Sequence, residues 1–171
     1  PLGELGVSIL MVVAFSLAVR KQGLNSTQKY TKTQMMEKEL YDKVVKLLQE
    51  KSTLSFATES HGQGGIEVRV LLNERQIGEK YTWVPEEKRY LNIPQGSQEE
   101  LELAKSIEDW VDDFFEYVNN DGNLLADNYD SCEFVYEDDC LECCFSGTRN
   151  WDGDEEEVCG SMGIEPEPEY D

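Results

Sequence analysis

The sequence predicts an α+β fold: a long amino-terminal helix, hydrophobic and then amphipathic, packed on a small antiparallel sheet, with a second helix and an acidic, cysteine-rich carboxyl-terminal region. Three observations support this. Residues 5–19 carry no charged side chain, two later stretches repeat apolar residues at helical spacing, and the segments between those stretches alternate apolar with polar residues as half-buried strands do. A chain of 171 residues, 39% of them hydrophobic, has material for one core of ordinary size.

The division this implies is an assembly or membrane helix over 1–22, an α+β globular domain over 23–122, and an acidic cysteine-rich region and tail over 123–171. Charge follows the same division. The chain has 36 Asp and Glu against 15 Lys and Arg, a net charge of -21. Residues 1–107 are neutral overall, so the whole excess falls in 108–171, where Arg149 is the single base. Nucleic acid is thereby excluded as an expected partner, because phosphate backbones are held by clustered Lys and Arg.

In chain order, the uncharged run 5–19 is preceded by Glu4 and closed by Arg20 and Lys21. At about 1.5 Å per residue a helix over it is about 22 Å long, shorter than a hydrocarbon core of about 30 Å. A secretory signal peptide has an apolar region of similar length, and Ser16-Leu17-Ala18 resembles its cleavage site, but no basic residue stands before the run. The β-branched Val7, Ile9, Val12, Val13 and Val19 also permit a buried strand. A helix covered by lipid or by other chains remains the leading expectation, since such a helix has no face suited to water. Its candidate assembly residues are Glu4, Leu5, Val7, Ile9, Leu10, Val12, Val13, Phe15 and Leu17. Residues 22–28 are polar and contain Gly23, which softens a helix, and Asn25-Ser26-Thr27 makes Asn25 a candidate glycosylation acceptor.

Met36, Leu40, Val44, Leu47 and Leu48 then form one helical stripe. Strands are expected over 53–58 and 66–72, joined by the glycine-rich turn 61–65, and over 81–84 and 90–93, joined across 85–88. Ser97 and Glu100 have the spacing of a capping box that opens a second helix. Leu103, Ile107, Trp110, Val111, Phe114 and Val118 give that helix a broad apolar face, and Asn119-Asn120-Asp121-Gly122 ends it.

All five cysteines (Cys132, Cys140, Cys143, Cys144 and Cys159) lie beyond residue 131. Two disulfides are the leading expectation, since a segment this polar buries little apolar area and a cross-link would compensate. The neighbours Cys143 and Cys144 would then take different partners. The alternatives are a zinc site, with Cys140-Leu141-Glu142-Cys143 as a knuckle completed by Cys132 or Cys159, and free thiols. Asp152, Asp154, Glu155 and Glu156 are weak calcium candidates that depart from EF-hand spacing; the expectation is no cofactor, with calcium as the candidate kept beside it. Residues 165–169 read as an extended surface tail. No nucleophile elbow, phosphate loop or dinucleotide fingerprint occurs, and the sole histidine, His61, falls in a glycine-rich turn. The expectation is a protein that is not an enzyme.

An apolar helix with an early acidic residue, an amphipathic continuation, a small sheet and a carboxyl-terminal cysteine segment together resemble the type IV pilin and pseudopilin family, bacterial or archaeal. The resemblance is carried by about the first twenty residues and by the layout of the rest. It implies that a leader is removed, that 5–19 bundles with identical copies in a filament core, and that Glu4 assists docking by meeting a neighbour's amino terminus. The function it implies is that of a structural subunit of an extracellular, pilus-like filament, anchored in the membrane before assembly and partnered by identical subunits. The alternative is a single-pass, membrane-anchored ectodomain acting as a binding or accessory subunit of a larger complex.

Overall fold

Alternation of side chains, two residues per repeat, organises more of this chain than helical periodicity does. The computed structural model describes residues 33–61, 65–120, 126–151 and 153–168. Along these run β1 (Gln34–Met36), α1 (Lys38–Gln49), β2 (Leu54–His61), β3 (Gly65–Leu72), β4 (Arg75–Val84), β5 (Arg89–Gln95), α2 (Gln98–Asn120), β6 (Asn128–Glu137), β7 (Cys140–Trp151) and β8 (Asp154–Pro166). The strands form one eight-stranded sheet in the order β1-β8-β7-β6-β2-β3-β4-β5. Every neighbouring pair is antiparallel except β1 and β8, which run parallel from Gln34 opposite Ile164 to Met36 opposite Pro166. Both helices contribute to a single buried cluster against one face of this sheet.

This arrangement corrects the predicted fold class. The protein is built on a large mixed sheet with two helices laid across it, and not on a long helix carrying a small sheet. The cysteine-rich segment, expected as an acidic appendage, supplies three of the eight strands. Its inner face alternates Cys132, Phe134 and Tyr136 on β6 with Leu141, Cys143 and Phe145 on β7 and Val158, Met162 and Ile164 on β8. Cysteine counted as a small apolar residue completes the alternation. The acids between these positions point the other way, so a strongly negative sequence still lays down a hydrophobic face. The tail expected over 165–169 is part of this: β8 continues to Pro166, and the Glu167 amide donates to the Met36 carbonyl at 2.7 Å.

The amphipathic helix is also shorter than expected. α1 has 12 residues, and Met36 sits before it as the buried end of β1. Leu40 and Val44 bury the helix, while Lys38–Asp42 (3.0 Å) and Lys43–Glu39 (3.5 Å) pair along its wet side. Such exposed pairs contribute only about 0.3–0.5 kcal/mol each, so burial holds α1 in place. The candidate assembly residues from Glu4 to Leu17, and Asn25, lie outside the described residues. The segments 66–72, 81–84 and 90–93 fall within observed strands, 53–58 does so from Leu54 onward, and the predicted second helix is α2.

At the start of α2 the capping box is present in both directions. The Glu100 amide donates to Ser97 Oγ at 3.2 Å, and the Ser97 amide donates to Glu100 Oε1 at 2.9 Å. The backbone hydrogen bond from Ser97, and after it the guanidinium of Arg75, hold the Glu100 carboxyl below its ordinary range. The Arg75 contact also ties the start of α2 to β4.

Gly78 fixes the distance between α2 and the sheet. Its φ is +98°, and a Cβ placed there would lie 2.8 Å from the Ala104 Cβ on α2. Gly78→Ala is therefore expected to lower the unfolding free energy by about 2 kcal/mol or more, because strain at a positive φ adds to overpacking. Urea denaturation followed by circular dichroism measures it; an unchanged midpoint would contradict the close approach of α2.

Candidate functional site

Beyond Gly78 the sheet divides. β3 and β4 are paired only at Val70–Ile77, Leu71–Gln76 and Leu72–Arg75. From Gly78 onward β4 pairs with β5 alone, through Val84 opposite Arg89. The β4–β5 hairpin thus leaves the first half of β3 unpaired on that side, and a cleft of about 400 Å³ opens between them under α2. Ile66, Glu67 and Val68 of β3 form one wall, Glu79, Tyr81 and Asn92 of the hairpin the opposite one, and Glu108 and Asp112 of α2 the roof.

Four of these eight lining residues are carboxylates, and among the described residues no basic side chain lines the cleft. Burial, with the charges of Asp109, Glu79 and Asp112 added to it, pushes the Glu108 carboxyl above its ordinary range against the lowering influence of Lys105. Asp112 is raised in the same way, first by burial and then by Asp109. Lys105 is engaged with Asp109 at 3.1 Å on the exposed side of α2. Positive charge entering the cleft would therefore relieve the repulsion among these carboxylates.

Tyr81 joins the cleft to a second feature. Tyr81 and Trp83 on β4 stand across from Asn92 and Tyr90 on β5, on one face of the hairpin. The Tyr81 and Tyr90 rings stack at 4.8 Å, and Trp83 meets Tyr90 at 5.1 Å and 63°. These rings hold one another in place, yet Tyr81 is 62% exposed, Trp83 48% and Tyr90 52%. Among the described residues they account for three of the four exposed large hydrophobic side chains. These rings therefore form an exposed aromatic ledge beside the charged cleft and are not part of the core.

The predicted site residues are distributed differently. Cys132 and Cys143 are buried on the helix-covered face. Cys144 follows Cys143 in an extended strand and points to the opposite face, where Cys159 also lies, since Cys144 stands opposite Ser161 and Ser146 opposite Cys159. Cys140 is exposed at the β6–β7 turn, and all five sulfurs are present as thiols. Cys140 and Cys143 thus face opposite sides of one strand, and the knuckle of the zinc reading does not form. Among the described residues no three His, Cys, Asp or Glu side chains converge as metal ligands. Asp154, Glu155 and Glu156 begin β8, where alternation separates Glu155 from the other two, and Arg149 Nη2 donates to Glu156 Oε2 at 2.8 Å. Asp152 lies outside the described residues. The cleft and the ledge were missed in the sequence because their residues come from β3, β4, β5 and α2. The alternation of Tyr81, Trp83 and Tyr90 around a hairpin loop was the available signal.

Comparison with protein-family models, with curated proteins and with solved structures finds no match for the chain.

The raised carboxyls make stability depend on pH in a defined direction. A carboxyl whose folded pKa exceeds its unfolded value holds its proton longer in the folded state, so its ionisation destabilises the fold as pH rises through the interval between the two. Glu108→Gln is expected to raise the thermal midpoint at pH 7 and to lose this advantage as the pH is lowered below the ordinary Glu range. A variant stabilised equally at both pH values would remove the electrostatic reading of the cleft.

Proposed function

We propose that this protein is a non-catalytic binding subunit, tethered or assembled through its apolar segment at 5–19, that engages a cationic partner through the aromatic ledge and acidic cleft of the β4–β5 hairpin. The observation that carries this reading is the exposure of Tyr81, Trp83 and Tyr90 while they are stacked on one another. Aromatic side chains lose little conformational entropy on binding, having two rotatable bonds each, and rings already held by neighbours lose less. A Lys or Arg side chain reaching the cleft would lie among Glu67, Glu79, Glu108 and Asp112, with the Tyr81 ring available for a cation–π contact. The net charge of -21 steers a basic partner towards the surface from a distance.

The filament reading keeps one observation in its favour, the uncharged run 5–19, for which identical copies are one form of cover. Among the described residues no helix is long and apolar enough to cross a membrane. The ledge favours the accessory-subunit reading, because that reading requires an exposed surface that meets a partner other than an identical copy.

Fluorescence anisotropy of a labelled Lys/Arg-rich peptide against the full chain tests the proposal, with an acidic peptide of equal length as the comparison. Binding is expected for the basic peptide alone, to weaken with added salt, and to fall about 30-fold in Trp83→Ala, the size of a central aromatic contact of about 2 kcal/mol. Equal binding of both peptides, or no change in a Tyr81→Ala/Trp83→Ala/Tyr90→Ala variant that retains its circular dichroism spectrum, would reject it.

A further inference from the structure

The free half of β3 presents more than side chains to the cleft. β3 and β4 are joined by the two-residue turn Asn73-Glu74, with φ of 51° and 67° at its two positions. Beside such a turn the flanking residues Leu72 and Arg75 form a hydrogen-bonded pair, so the backbone N–H and C=O of Leu72 point to β4. Asn73, one position on, points the other way and donates its amide to the carbonyl of Thr53, which leads into β2, at 2.8 Å. Counting back by twos, Val70, Val68 and Ile66 also direct their backbone groups towards β4, whereas Arg69 and Glu67 direct theirs to β2. Ile77 pairs with Val70. Among the described residues Val68 and Ile66 have no ladder partner on that side, because β4 leaves β3 at Gly78 and pairs with β5 alone. An N–H and a C=O from each therefore face the cleft as an open sheet edge.

We propose that the cleft receives an extended peptide segment as an added strand, antiparallel to β3 in the place that β4 vacates, paired to the backbone of Ile66 and Val68 and carrying Lys or Arg at alternate positions beneath α2. This rests on the basic partner proposed above and specifies how that partner is held. Ile66 and Val68 turn their side chains to the helix-covered face and pack against the core there. A strand laid beside them places every second side chain on the same face, where Glu108 and Asp112 form the roof and Glu79 the far wall. The residues that pair with Ile66 and Val68 are the ones whose side chains lie under these carboxylates, so one register satisfies the backbone and the charge together. Main-chain pairing holds the segment and the alternate side chains select it. Exposed edges are ordinarily blunted by lysine, proline or a covering element. This edge has acids around it and the hairpin stands away from it, which leaves it open to a single strand of opposite charge. A second copy of the chain is not the occupant, because two chains of net charge -21 repel one another.

The test uses the unmutated full chain and a short labelled peptide that alternates Lys with Thr, in three forms of equal charge: unmodified, N-methylated on the backbone amides of the Lys residues, and N-methylated on those of the Thr residues. In the proposed register the Lys amides face β3 and the Thr amides face away from it. Methylation of the Lys amides is therefore expected to weaken binding at least about 10-fold, and methylation of the Thr amides to change it less than about 3-fold. Amide hydrogen exchange followed by NMR supplies a second readout. Saturation with the unmodified peptide is expected to slow exchange at Ile66 and Val68, and to leave Glu67 and Arg69, already directed to β2, unchanged. Equal binding by the two methylated peptides, or unchanged exchange at Ile66 and Val68 in the saturated protein, would overturn strand addition while leaving the basic partner of the hairpin in place. Failure of all three peptides to bind would remove both.

Discussion

The packing of Phe56, Trp110 and Phe134 is the contact on which the rest of the molecule depends. Phe56 lies 6.2 Å from Trp110 at 81° and 5.6 Å from Phe134, and Trp110 lies 5.7 Å from Phe134. These three rings come from β2, α2 and β6, elements far apart in the chain that meet at the centre of the sheet. Trp110 also donates its indole N–H to the Met35 carbonyl at 3.0 Å, which adds β1 to the same junction. Phe114 and Tyr129 extend the cluster towards Phe145 on β7. Edge-to-face and offset arrangements of this kind add about 0.5–1.5 kcal/mol per pair to the area that the rings bury. Fixing α2 against β2 and β6 also sets where its other end lies over β3 and β4, and hence how wide the cleft is.

A single polar bond at the centre shows how completely the interior is apolar. Thr58 is the buried polar side chain of the described core, and its Oγ1 accepts the Tyr129 amide at 2.9 Å. That amide immediately precedes a register shift in β6 between Tyr129 and Ser131, where the ladder with β7 is interrupted. The threonine satisfies a backbone donor beside the irregularity, and an unsatisfied donor at such depth would cost about 1–3 kcal/mol. The bulge in turn keeps Tyr129 and Cys132 on the same inner face although they are three residues apart.

Local signals in the sequence were sufficient for the middle of the chain. The spacing of Ser97 and Glu100, the alternation of Ile66, Val68 and Val70, and the loop at 85–88 each specify their element within a few residues, and the structure contains all of them. The carboxyl-terminal third is not legible as sheet in this way, because its cysteines and its many acids obscure the two-residue alternation that makes it β6, β7 and β8. Placed in alternation, Cys132-Phe134-Tyr136 and Leu141-Cys143-Phe145 are ordinary strand faces. The pairing of β1 with β8 was beyond local reading, since it joins segments more than a hundred residues apart with three register positions. The cleft was illegible for a similar reason: it arises from the divergence of β4 from β3 at Gly78, and its carboxylates become neighbours only when α2 crosses the gap.

The parallel ladder between β1 and β8 has a mechanical meaning. Among the described residues, tension delivered along the chain from its amino-terminal side meets three paired positions of β1, the Glu167 amide, the Trp110 indole and the buried Met36 before it meets the rest of the sheet. The long ladders β6–β7 and β7–β8 lie behind that point and share none of the load until it yields. Under force the molecule would release β1 and the start of α1 before the ladders among β6, β7 and β8 are disturbed, leaving the aromatic hairpin at the far edge unaffected.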